Sequence, residues 1–400
     1  MEQGSSSFPR SAAPVGNDEP RTAVYTDAMS PADSAPSKTT SPEAKAPPTA
    51  FGKGFVLDAW YFVALARDVK AASLKRYELL GEPVLIGRTR AGDVYGMRDI
   101  CPHRAAPLSA GRLVDSPEGE TVECPYHGWR FRTDGVCAAI PSLVEDQAYD
   151  ANRIRVRSYP VVESQGMVFV FIRSDPRSEA EPDHPPPVFP GVVGGKPKLV
   201  DRMVFDSHID HAVVGLMDPA HGPYVHQQWW WRSSGSQHEK TKAFEPREQG
   251  FAMLRHQPSK NSRAYAVLGG EPLTEITFRL PGLRWEHVTV GDKQVLALSA
   301  MTPINATKTR MNQIIWSDHP AFTALYPVIR LAARAFLRQD GRIVEAQARG
   351  LRDNPALMWV GDADQQGRWY HQLKREWNAS RFERRPFSNP VTETTLRWRT

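Results

Sequence analysis

The sequence predicts an α+β protein, in which a small all-β domain precedes a larger domain built from an antiparallel sheet and a long C-terminal helix. Four hundred residues exceed the length of one small β module and favour two domains. Strand-like runs of aromatic and β-branched residues recur up to residue 301, whereas a long stretch of helical composition lies at residues 320–352. A proline-rich stretch separates the two domains.

The chain divides into five predicted segments. Residues 1–50 contain eight Pro, eight Ser and nine Ala, a composition that cannot bury enough apolar surface to offset the chain entropy. We therefore expect residues 1–52 to be a disordered tail. The other segments are an all-β domain at 53–175, a stiff proline-rich linker at 176–198, a mixed domain at 199–380 and a C-terminal tail at 381–400.

Within the first domain, strands are predicted at 60–64 and 84–86, and residues 161–172 complete the domain. In the second domain, residues 276–280 alternate like a half-buried strand, and residues 295–301 are apolar on both faces, as in a covered central strand. The predicted helix has an apolar side formed by Leu325, Val328, Ile329, Leu331 and Ala332.

Two short loops each combine one cysteine with one histidine. The first reads Cys101-Pro-His103, and the second, separated from it by twenty intervening residues, reads Cys124-Pro-Tyr-His127-Gly-Trp129. A [2Fe–2S] cluster of the Rieske type needs this donor set, because two thiolates bind one iron and two imidazoles bind the other. The motif therefore predicts that Cys101, His103, Cys124 and His127 bind such a cluster.

A zinc site is the main alternative, since two Cys and two His also suit tetrahedral zinc. Zinc fingers usually group Cys with Cys and His with His, whereas each loop here carries one of each, and this favours the iron–sulfur cluster. The third cysteine, Cys137, is interpreted as a small buried residue, with a further contact to the cluster as the alternative.

A second candidate metal site reads Asp218-Pro-Ala-His221-Gly-Pro-Tyr-Val-His226. Two histidines five residues apart do not share a face of a straight helix, so Gly222-Pro223 is expected to break the helix and turn the second histidine toward the first. Two imidazoles and a carboxylate on one face of Fe(II) leave coordination positions open for dioxygen. His208 and His211 are an alternative pair, otherwise expected to face solvent or a domain contact.

Together, the two motifs resemble those of the Rieske non-heme iron oxygenases, in particular the stand-alone α subunits of the vanillate demethylase and pheophorbide oxygenase group. The resemblance implies a Rieske domain followed by a helix-grip catalytic domain. It also implies a cofactor set of one [2Fe–2S] cluster and one mononuclear Fe(II) per subunit, with His221 and His226 as iron ligands.

The third iron ligand is expected far along the chain. The resemblance to the family's C-terminal helix, in which an acidic residue stands several positions before a segment like Glu345-Ala-Gln347, makes Asp340 the predicted ligand. Asp340-Gly341 is a poor helical pair, which suggests that a reason other than packing maintains it. The alternatives for this ligand are Asp218, Glu345, Asp353 and Asp362, and each could instead be an ordinary solvated charge.

By resemblance, Asp218 is a catalytic residue that does not bind iron. It is implied to hydrogen-bond His221 and to accept a hydrogen bond from His127 of a neighbouring subunit, so the working unit is expected to be a homotrimer. The sequence departs from the family here, because Gly215 and Val214 stand where many members carry an Asn.

Two further features are ambiguous from the sequence. Trp229-Trp230-Trp231-Arg232 is predicted to line an apolar substrate cavity, with Arg232 holding a polar group, or to pack at an interface. On the C-terminal helix, a basic stripe is either a solvated face or a docking site for an acidic ferredoxin or reductase. The stripe consists of Arg330, Arg334, Arg338 and Arg342.

Composition excludes several classes of function. The net charge is only +5, and no dense Lys/Arg run is interleaved with aromatic residues, so no nucleic-acid partner is expected. No run of eighteen apolar residues is present, and neither is a secretory h-region. Three cysteines cannot form a disulfide framework, and a cytoplasmic location is expected. No dinucleotide fingerprint is found, so a separate NAD(P)H-dependent reductase or a ferredoxin is expected to supply electrons.

The sequence and the resemblance together predict the terminal oxygenase component of a multicomponent monooxygenase. With O2 and reductase-supplied electrons, it is expected to hydroxylate or oxidatively demethylate a largely apolar aromatic or polycyclic substrate. The alternatives are a non-catalytic Rieske electron-transfer protein with an added binding domain and a ring cis-dihydroxylating dioxygenase. His221, His226 and Asp340 discriminate between a catalytic and a purely electron-transferring protein.

Overall fold

A computed structural model describes residues 54–144, 146–147, 149–191, 195–226, 237–258, 265 and 268–400, together with the backbone of strand β1 (Val24–Asp27). The described chain forms a β-rich N-terminal domain and a second domain in which helices cover a large antiparallel sheet. The predicted α+β class is confirmed. No helix in the described part of the chain is both long enough and apolar enough to cross a membrane.

The N-terminal domain consists of three small antiparallel sheets with the orders β10-β5-β4-β3, β11-β12-β2 and β6-β7-β8-β9. The predicted strands at 60–64 and 84–86 lie within β2 and β4, and residues 161–172 form β11 and β12. The strands are β2 (Ala59–Leu65), β3 (Leu74–Leu79), β4 (Glu82–Arg88), β5 (Val94–Arg98), β6 (Arg112–Ser116), β7 (Gly119–Glu123), β8 (Arg130–Arg132), β9 (Cys137–Ala139), β10 (Ser158–Tyr159), β11 (Val161–Ser164) and β12 (Met167–Ile172).

The second domain contains an eight-stranded antiparallel sheet with the order β13-β19-β18-β17-β16-β15-β14-β21. The predicted strand at 276–280 corresponds to β16, and residues 295–301 lie in β18, near the middle of the sheet. The strands are β13 (Leu199–Phe205), β14 (Glu239–Arg247), β15 (Gly250–His256), β16 (Leu273–Arg279), β17 (Leu283–Val290), β18 (Lys293–Asn305), β19 (Lys308–Ser317), β20 (Ala356–Trp359) and β21 (Thr394–Arg399).

The predicted helical region corresponds to a short helix and a 26-residue helix in succession. The helices are α1 (Ile209–Met217), α2 (Gly222–Val225), α3 (Pro320–Ala324), α4 (Tyr326–Leu351) and α5 (Gln365–Phe382). The sequence prediction missed α5, although Trp369, Leu373 and Trp377 recur every four residues and are all buried. A polar composition interrupted by Gly367 concealed this amphipathic pattern.

The large sheet is covered on both faces. On one face, Leu298 and Trp316 pack against Phe62 and Phe169 from strands β2 and β12 of the N-terminal domain. On the other face, Phe251 packs against Trp369 of α5, and their ring centroids lie 5.0 Å apart. Helices α1 and α4 cover the same face beside α5. The two domains therefore share one extensive core, and α1 and α4 are held against the sheet next to each other.

The linker also belongs to this packing. The Trp60 indole N–H donates to the main-chain carbonyl of His184 at 3.0 Å. Phe189 is buried, and its ring lies edge-on to Trp285 with 5.1 Å between centroids. The proline-rich segment is thus anchored to both domains at these points.

Two predicted tail boundaries are wrong. Strand β21 pairs with β14 at the edge of the large sheet, so the second domain continues well beyond residue 380. Strand β1, within the predicted disordered tail, pairs in parallel with β20. The remaining residues up to 53 lie outside the described residues. Both strands obtain their hydrogen bonds from partners distant in sequence, so local composition did not reveal them.

Candidate metal centres

The first ligand loop connects β5 to β6 and is braced by a buried carboxylate. Asp99 accepts hydrogen bonds from the backbone N–H of Ser109 at 2.7 Å and from its hydroxyl at 2.7 Å. The same carboxylate forms an ion pair with Arg76 at 2.8 Å. The backbone N–H of Cys101 donates to the Ala106 carbonyl at 2.9 Å, which closes the loop around His103. Sequence reasoning did not identify Asp99, because its role depends on this long-range packing.

The second ligand loop connects β7 to β8. The backbone N–H of Cys124 donates to the Trp129 carbonyl at 2.8 Å, and the N–H of Gly128 donates to the Cys124 carbonyl at 3.1 Å. Gly128 has a φ of +71°, a conformation that favours glycine. The turn presents His127 at the surface, while Cys124 remains buried.

The four donors of the two loops are arranged by chemical type. Cys101 and Cys124 are both buried in the core of the N-terminal domain. The rings of His103 and His127 lie nearer the surface, with centroids 4.7 Å apart. His103 also stacks on Trp129 at 4.6 Å with an interplanar angle of 5°. This set fits a cluster whose thiolate-bound iron faces the core and whose imidazole-bound iron faces the surface.

Burial raises the pKa of the Cys101 thiol to about 11, and the adjacent Cys124 thiol also raises it. Two buried thiolates side by side would repel each other unless a cationic group lies between them. Both sulfur atoms could therefore be ionised together only with a cation between them, as when two thiolates bind one iron of a cluster. Cys137 is fully buried in the same core and its Sγ lies 3.6 Å from the Ala139 carbonyl, as expected for a buried structural residue.

In the second domain, His221 and His226 bracket the one-turn helix α2. His221 is its N-cap and His226 its C-cap, and the N–H of His226 donates to the Gly222 carbonyl at 3.0 Å. The expectation that Gly222-Pro223 breaks a helix is therefore wrong, because these residues begin one. Proline is tolerated in the first turn, where its missing N–H would have no helical partner. The single turn brings both imidazoles to the same side.

Helix α4 supplies a carboxylate to this pair of histidines. Asp340 Oδ1 lies 3.0 Å from His226 Nε2 and 3.6 Å from His221 Nε2, and the two Nε2 atoms are 3.3 Å apart. The three side chains form a group whose potential ligand atoms all lie within 4.8 Å of one another. Among the described residues, Glu345, Asp353 and Asp362 do not belong to it. The structure thus brings together two neighbouring histidines and an acid from a distant part of the chain.

The other nitrogen of each imidazole has its own acceptor. His221 Nδ1 lies 2.7 Å from the Asp218 main-chain carbonyl, and His226 Nδ1 lies 3.0 Å from Gln339 Oε1. Since a carbonyl oxygen can only accept, the Asp218 contact places a proton on His221 Nδ1, and the contact with the Gln339 amide oxygen does the same for His226. Two Nε2 lone pairs then face each other and a carboxylate oxygen. A cation at their centre resolves this repulsion.

The surroundings of His226 were missed by sequence reasoning. Phe336 stacks on its ring with centroids 3.5 Å apart, and Gln339 holds its Nδ1. Phe336 lies one helical turn before Asp340, so the i, i+4 spacing is a signal that identifies it in retrospect. Gln339 has no comparable sequence signal.

The predicted contact between Asp218 and His221 is made mainly by the Asp218 main chain. Its carbonyl takes the His221 hydrogen bond, whereas its carboxylate Oδ2 lies 3.8 Å from the same nitrogen. The carboxylate Oδ1 accepts from the backbone N–H of Ala220 at 2.7 Å and so stabilises the turn before α2. Burial raises the pKa of the Asp218 carboxyl above its ordinary value, and the nearby Asp364 adds to this effect.

His208 and His211 lie elsewhere and are both buried, so they do not face solvent. The alternative expectation, a domain contact, is met by His208, whose ring stacks on Phe55 of the N-terminal domain with centroids 5.4 Å apart. Both histidines belong to a network around Asp210, which accepts from Lys374 Nζ at 2.6 Å and from the Tyr370 hydroxyl at 2.7 Å. The alternative metal pair therefore lies in a structural network that contains its own cation.

Three further predictions concern the tryptophan run, the basic stripe and the apolar side of α4. Trp229–Trp231 and Arg232 lie outside the described residues. In the basic stripe, Arg334 forms an ion pair with Asp201 at 3.3 Å, while the other three arginines are exposed, and their docking role stays a prediction. The predicted apolar side of α4 is also partly exposed, because the buried residues of α4 are Leu337, Gly341 and Val344.

Gly341 has a packing role, contrary to the expectation for the Asp340-Gly341 pair. It is buried where α4 crosses β13, and a Cβ atom added there would lie 2.7 Å from Met203 Sδ. Because Gly341 has no side chain, α4 can approach the sheet closely. This close approach sets the distance between Asp340 and the two histidines.

A cavity of about 350 Å³ adjoins the group formed by His221, His226 and Asp340. His221 and Asp340 form part of its wall, and most of the rest comes from α1, α4, β18, β19 and β20. Phe205, Asp218, Val225 and Asp364 complete the wall. Its volume lies at the lower end of the range for small-molecule sites. A metal held by His221, His226 and Asp340 would therefore face a space that can admit an organic molecule.

These features define a two-domain protein with a Rieske-type cluster site in the first domain and a histidine–carboxylate metal site in the second. The family model of the Rieske [2Fe-2S] domain matches residues 59–160, and that of the vanillate O-demethylase oxygenase C-terminal domain matches residues 206–377. The chain belongs to the Rieske-type oxygenases, as the resemblance of its motifs indicated.

Proteins that are similar to this chain in sequence have names that also describe oxygenases. The chain is 36% identical over 179 residues to the oxygenase component of dicamba O-demethylase from Stenotrophomonas maltophilia, covering 43% of this chain and 48% of that protein. It is 34% identical over 139 residues to 4beta-methylsterol monooxygenase from Methylococcus capsulatus, covering 34% and 36%. It is 29% identical over 170 residues to chlorophyllide a oxygenase from Arabidopsis thaliana, covering 42% and 28%. The chain thus matches between a quarter and a half of the length of these relatives.

Solved structures extend the likeness across most of the chain. Dicamba monooxygenase bound to dicamba superimposes with a TM-score of 0.66 at 22% identity, covering 82% of this chain and 99% of that one. A Pseudomonas putida protein, NdmB, gives a TM-score of 0.60 at 18% identity, covering 81% and 91%. At these identities, the comparison establishes a shared fold.

Proposed function

We propose that this chain is the terminal oxygenase component of a multicomponent Rieske monooxygenase. The observation that carries this proposal is the convergence of His221, His226 and Asp340 at the wall of a cavity, with both histidine Nδ1 atoms already engaged. Three protein donors leave other coordination positions of an Fe(II) ion open. When bound, that iron would supply dioxygen binding and activation.

The protein side chains have distinct tasks in this proposal. His221, His226 and Asp340 would hold the mononuclear iron, and Gln339 and the Asp218 carbonyl keep the two imidazoles in the metal-binding tautomer. The apolar cavity wall positions a substrate and limits water around it. The names of the relatives, a demethylase and a sterol monooxygenase among them, support hydroxylation or oxidative demethylation of a largely apolar aromatic or polycyclic substrate.

Cys101, His103, Cys124 and His127 would hold the [2Fe–2S] cluster, which would supply single electrons taken from a separate NAD(P)H-dependent reductase or ferredoxin. His127 is exposed, and the neighbouring Tyr126 side chain is 64% exposed, so this edge of the domain is open to a partner. A cytoplasmic location agrees with three cysteines that form no disulfide.

Measurement of metals in anaerobically purified protein tests the proposal. We expect about three iron atoms per chain, two in the cluster and one at the mononuclear site, without zinc. In His221→Ala, about one iron should be lost and substrate-dependent oxygen uptake should disappear, while the visible spectrum of the cluster stays unchanged. Loss of the cluster spectrum in this variant would instead assign His221 to the cluster.

A Rieske electron-transfer protein with an added binding domain is the competing function. It would contain about two iron atoms per chain and no mononuclear iron. It has no need for two imidazoles and a carboxylate converging beside a cavity, and this geometry favours the oxygenase. A ring cis-dihydroxylating dioxygenase would be distinguished by the product, since both oxygen atoms of O2 would enter the substrate.

We also propose that the working unit is a homotrimer in which His127 of one subunit approaches Asp218 of the next. Helix α4 presents Val328 and Leu331 at 66% and 72% exposure, an apolar surface of the kind found at interfaces. The Asp218 carboxylate is 39% exposed and accessible from outside the chain.

The expected mass in solution is that of three chains. Asp218→Asn should retain all irons but slow the substrate-dependent reoxidation of the reduced cluster, and Asp206→Asn, at an exposed carboxylate in the same domain, is the control. Reoxidation at the wild-type rate would remove Asp218 from the proposed relay.

A further inference from the structure

The side chains that line the cavity beside His221 and Asp340 indicate which ligand charge the cavity favours. Its wall is mainly apolar, and the positions where the family often has an amide, Val214 and Gly215, contribute to this wall. A Cβ atom added at Gly215 would have only an ordinary contact, 3.8 Å from Val344 Cγ2, so the glycine leaves space in the cavity. The other apolar lining residues include Leu216, Met301, Ile343 and Trp359.

The charged side chains that line the cavity are acidic. Asp218, Asp340 and Asp364 contribute three carboxylates, and none of the described lining residues is Lys or Arg. A divalent cation at the histidine–carboxylate site would at most balance two of these three charges. Among the described lining residues, an anionic ligand would therefore find no cationic side chain to replace its hydration, which is costly in a largely apolar cavity.

Helix α4 provides a single stripe along the cavity. Asp340, Ile343, Val344 and Gln347 follow the i, i+3, i+4, i+7 spacing of one helix face, and all four line the cavity. Gln347 is two turns from Asp340, which corresponds to about 10 Å along the helix axis. Its side chain forms no hydrogen bond within the described residues and is half-buried, so its amide is available to a ligand.

We propose that Gln347 is a specificity-determining residue, and that the substrate is an uncharged, elongated apolar molecule with a hydroxyl, carbonyl or amide group about 10 Å from the atom that is oxidised. The carboxamide of Gln347 can both donate to and accept from such a group. Ile343 and Val344 contact the apolar part between the two ends. This inference rests on the proposed oxygenase function, because it places the oxidised end beside His221 and Asp340.

Three two-ring compounds test the proposal: 6-methoxy-2-naphthol, 6-methoxy-2-naphthoate and 2-methoxynaphthalene. Binding to the iron-loaded, full-length protein is measured anaerobically by calorimetry, so that no turnover occurs. We expect the naphthol to bind at least about tenfold more tightly than the naphthoate, because the described lining residues offer the carboxylate no cationic partner. We also expect 2-methoxynaphthalene to bind, but less tightly than the naphthol.

Variants of Gln347 separate the amide from the rest of the cavity. Gln347→Leu should weaken binding of the naphthol about five- to tenfold and leave that of 2-methoxynaphthalene unchanged. Gln347→Arg should increase affinity for the naphthoate at least about tenfold, since it supplies the missing cation. Glu345→Gln, on the exposed face of the same helix, is the control and should behave like wild type.

The proposal is overturned if the wild-type protein prefers the naphthoate, if neither neutral compound binds, or if Gln347→Leu binds all three like the Glu345 control. Should Gln347→Leu fail to fold, the gain of naphthoate binding in Gln347→Arg remains decisive. Absence of substrate-dependent oxygen uptake would count against the proposed function alone, because these binding measurements require neither reductase nor O2.

Discussion

Both imidazoles of the candidate metal site are oriented by hydrogen bonds to residues outside the His221, His226 and Asp340 group. His226 has its Nδ1 at 3.0 Å from Gln339 Oε1 and its ring stacked on Phe336. His221 depends on a main-chain carbonyl, which no side-chain substitution can remove. Gln339 is therefore the position at which the orientation of a ligand can be tested without altering a ligand.

Gln339→Leu should lower the affinity of the mononuclear site for Fe(II) about 10- to 100-fold, because His226 would lose the acceptor that holds its tautomer. The visible spectrum of the cluster should not change, since the cluster lies in the other domain. Iron titration of the metal-depleted mononuclear site measures the effect. Gln339→Glu keeps an acceptor oxygen and should retain most of the affinity; equal iron binding in the Leu and Glu variants would show that this hydrogen bond is unimportant.

Among the elements, α4 has the most demanding position, because it must bring Asp340 to the histidines while packing on β13. Close approach at Gly341 makes both possible, with a hypothetical Cβ only 2.7 Å from Met203 Sδ. Gly350, near the end of the same helix, has nothing within 4 Å of its hypothetical Cβ. The two glycines therefore form a matched pair for testing the placement of the helix.

Gly341→Ala should displace α4 or Met203, lowering the thermal midpoint and weakening iron binding several-fold. Gly350→Ala should be neutral or stabilising by about 0.5–1 kcal/mol, the usual gain in helix propensity. Calorimetry and iron titration measure the two effects. The double variant Gly341→Ala/Met203→Ala should recover iron affinity, because it removes the atom that the new methyl group meets. Iron affinity unaffected in Gly341→Ala would mean that the close contact does not position Asp340.

At the scale of the whole molecule, a buried ionic network joins the domains. Asp210 on α1 binds Lys374 on α5, and Lys374 Nζ also donates to the Gly54 carbonyl at 3.1 Å, at the beginning of the N-terminal domain. Burial acts to raise the pKa of Asp210, but the charges of Lys374 and His208 outweigh it and leave the pKa below its ordinary value. His211 lies beside this network, and burial lowers its pKa to about 4.

His211 makes stability depend on pH in a defined direction. Its folded pKa of about 4 lies below the ordinary value of 6.5, so the unfolded chain binds more protons between these pH values. The stability contribution is fully present above pH 6.5 and is lost as the pH falls toward 4, by up to about 3 kcal/mol. Nearby, Asp210 opposes this shift, while His208 and Lys374 add to it.

Denaturant unfolding of wild type and His211→Gln at pH 8 and pH 5 tests this expectation. The variant carries no titrating group at position 211, so its loss of stability between the two pH values should be smaller than that of wild type. The stability of each protein at pH 5 is compared with its own stability at pH 8. A change in stability that the substitution causes equally at both pH values therefore cancels. An equal loss in both proteins would show that His211 does not control acid stability.

Local motifs in the sequence were sufficient to determine much about this protein. The two Cys/His loops and the His221/His226 spacing depend on residues close together in the chain, and the strands at 60–64 and 295–301 follow from local apolar composition. The α+β class and membership of the Rieske-type oxygenases were predictable for the same reason.

Only the tertiary structure decided the features that depend on distant partners. It selected Asp340 from several possible acids, placed Gln339 and Phe336 on His226, buried His208 and His211, and added α5 and β21 to the second domain. These outcomes depend on how α1, α4 and α5 pack on one sheet. A periodic pattern can show that a segment has a buried face, but it does not show which distant segment packs against that face, because packing against the partner, not local propensity, determines the contact.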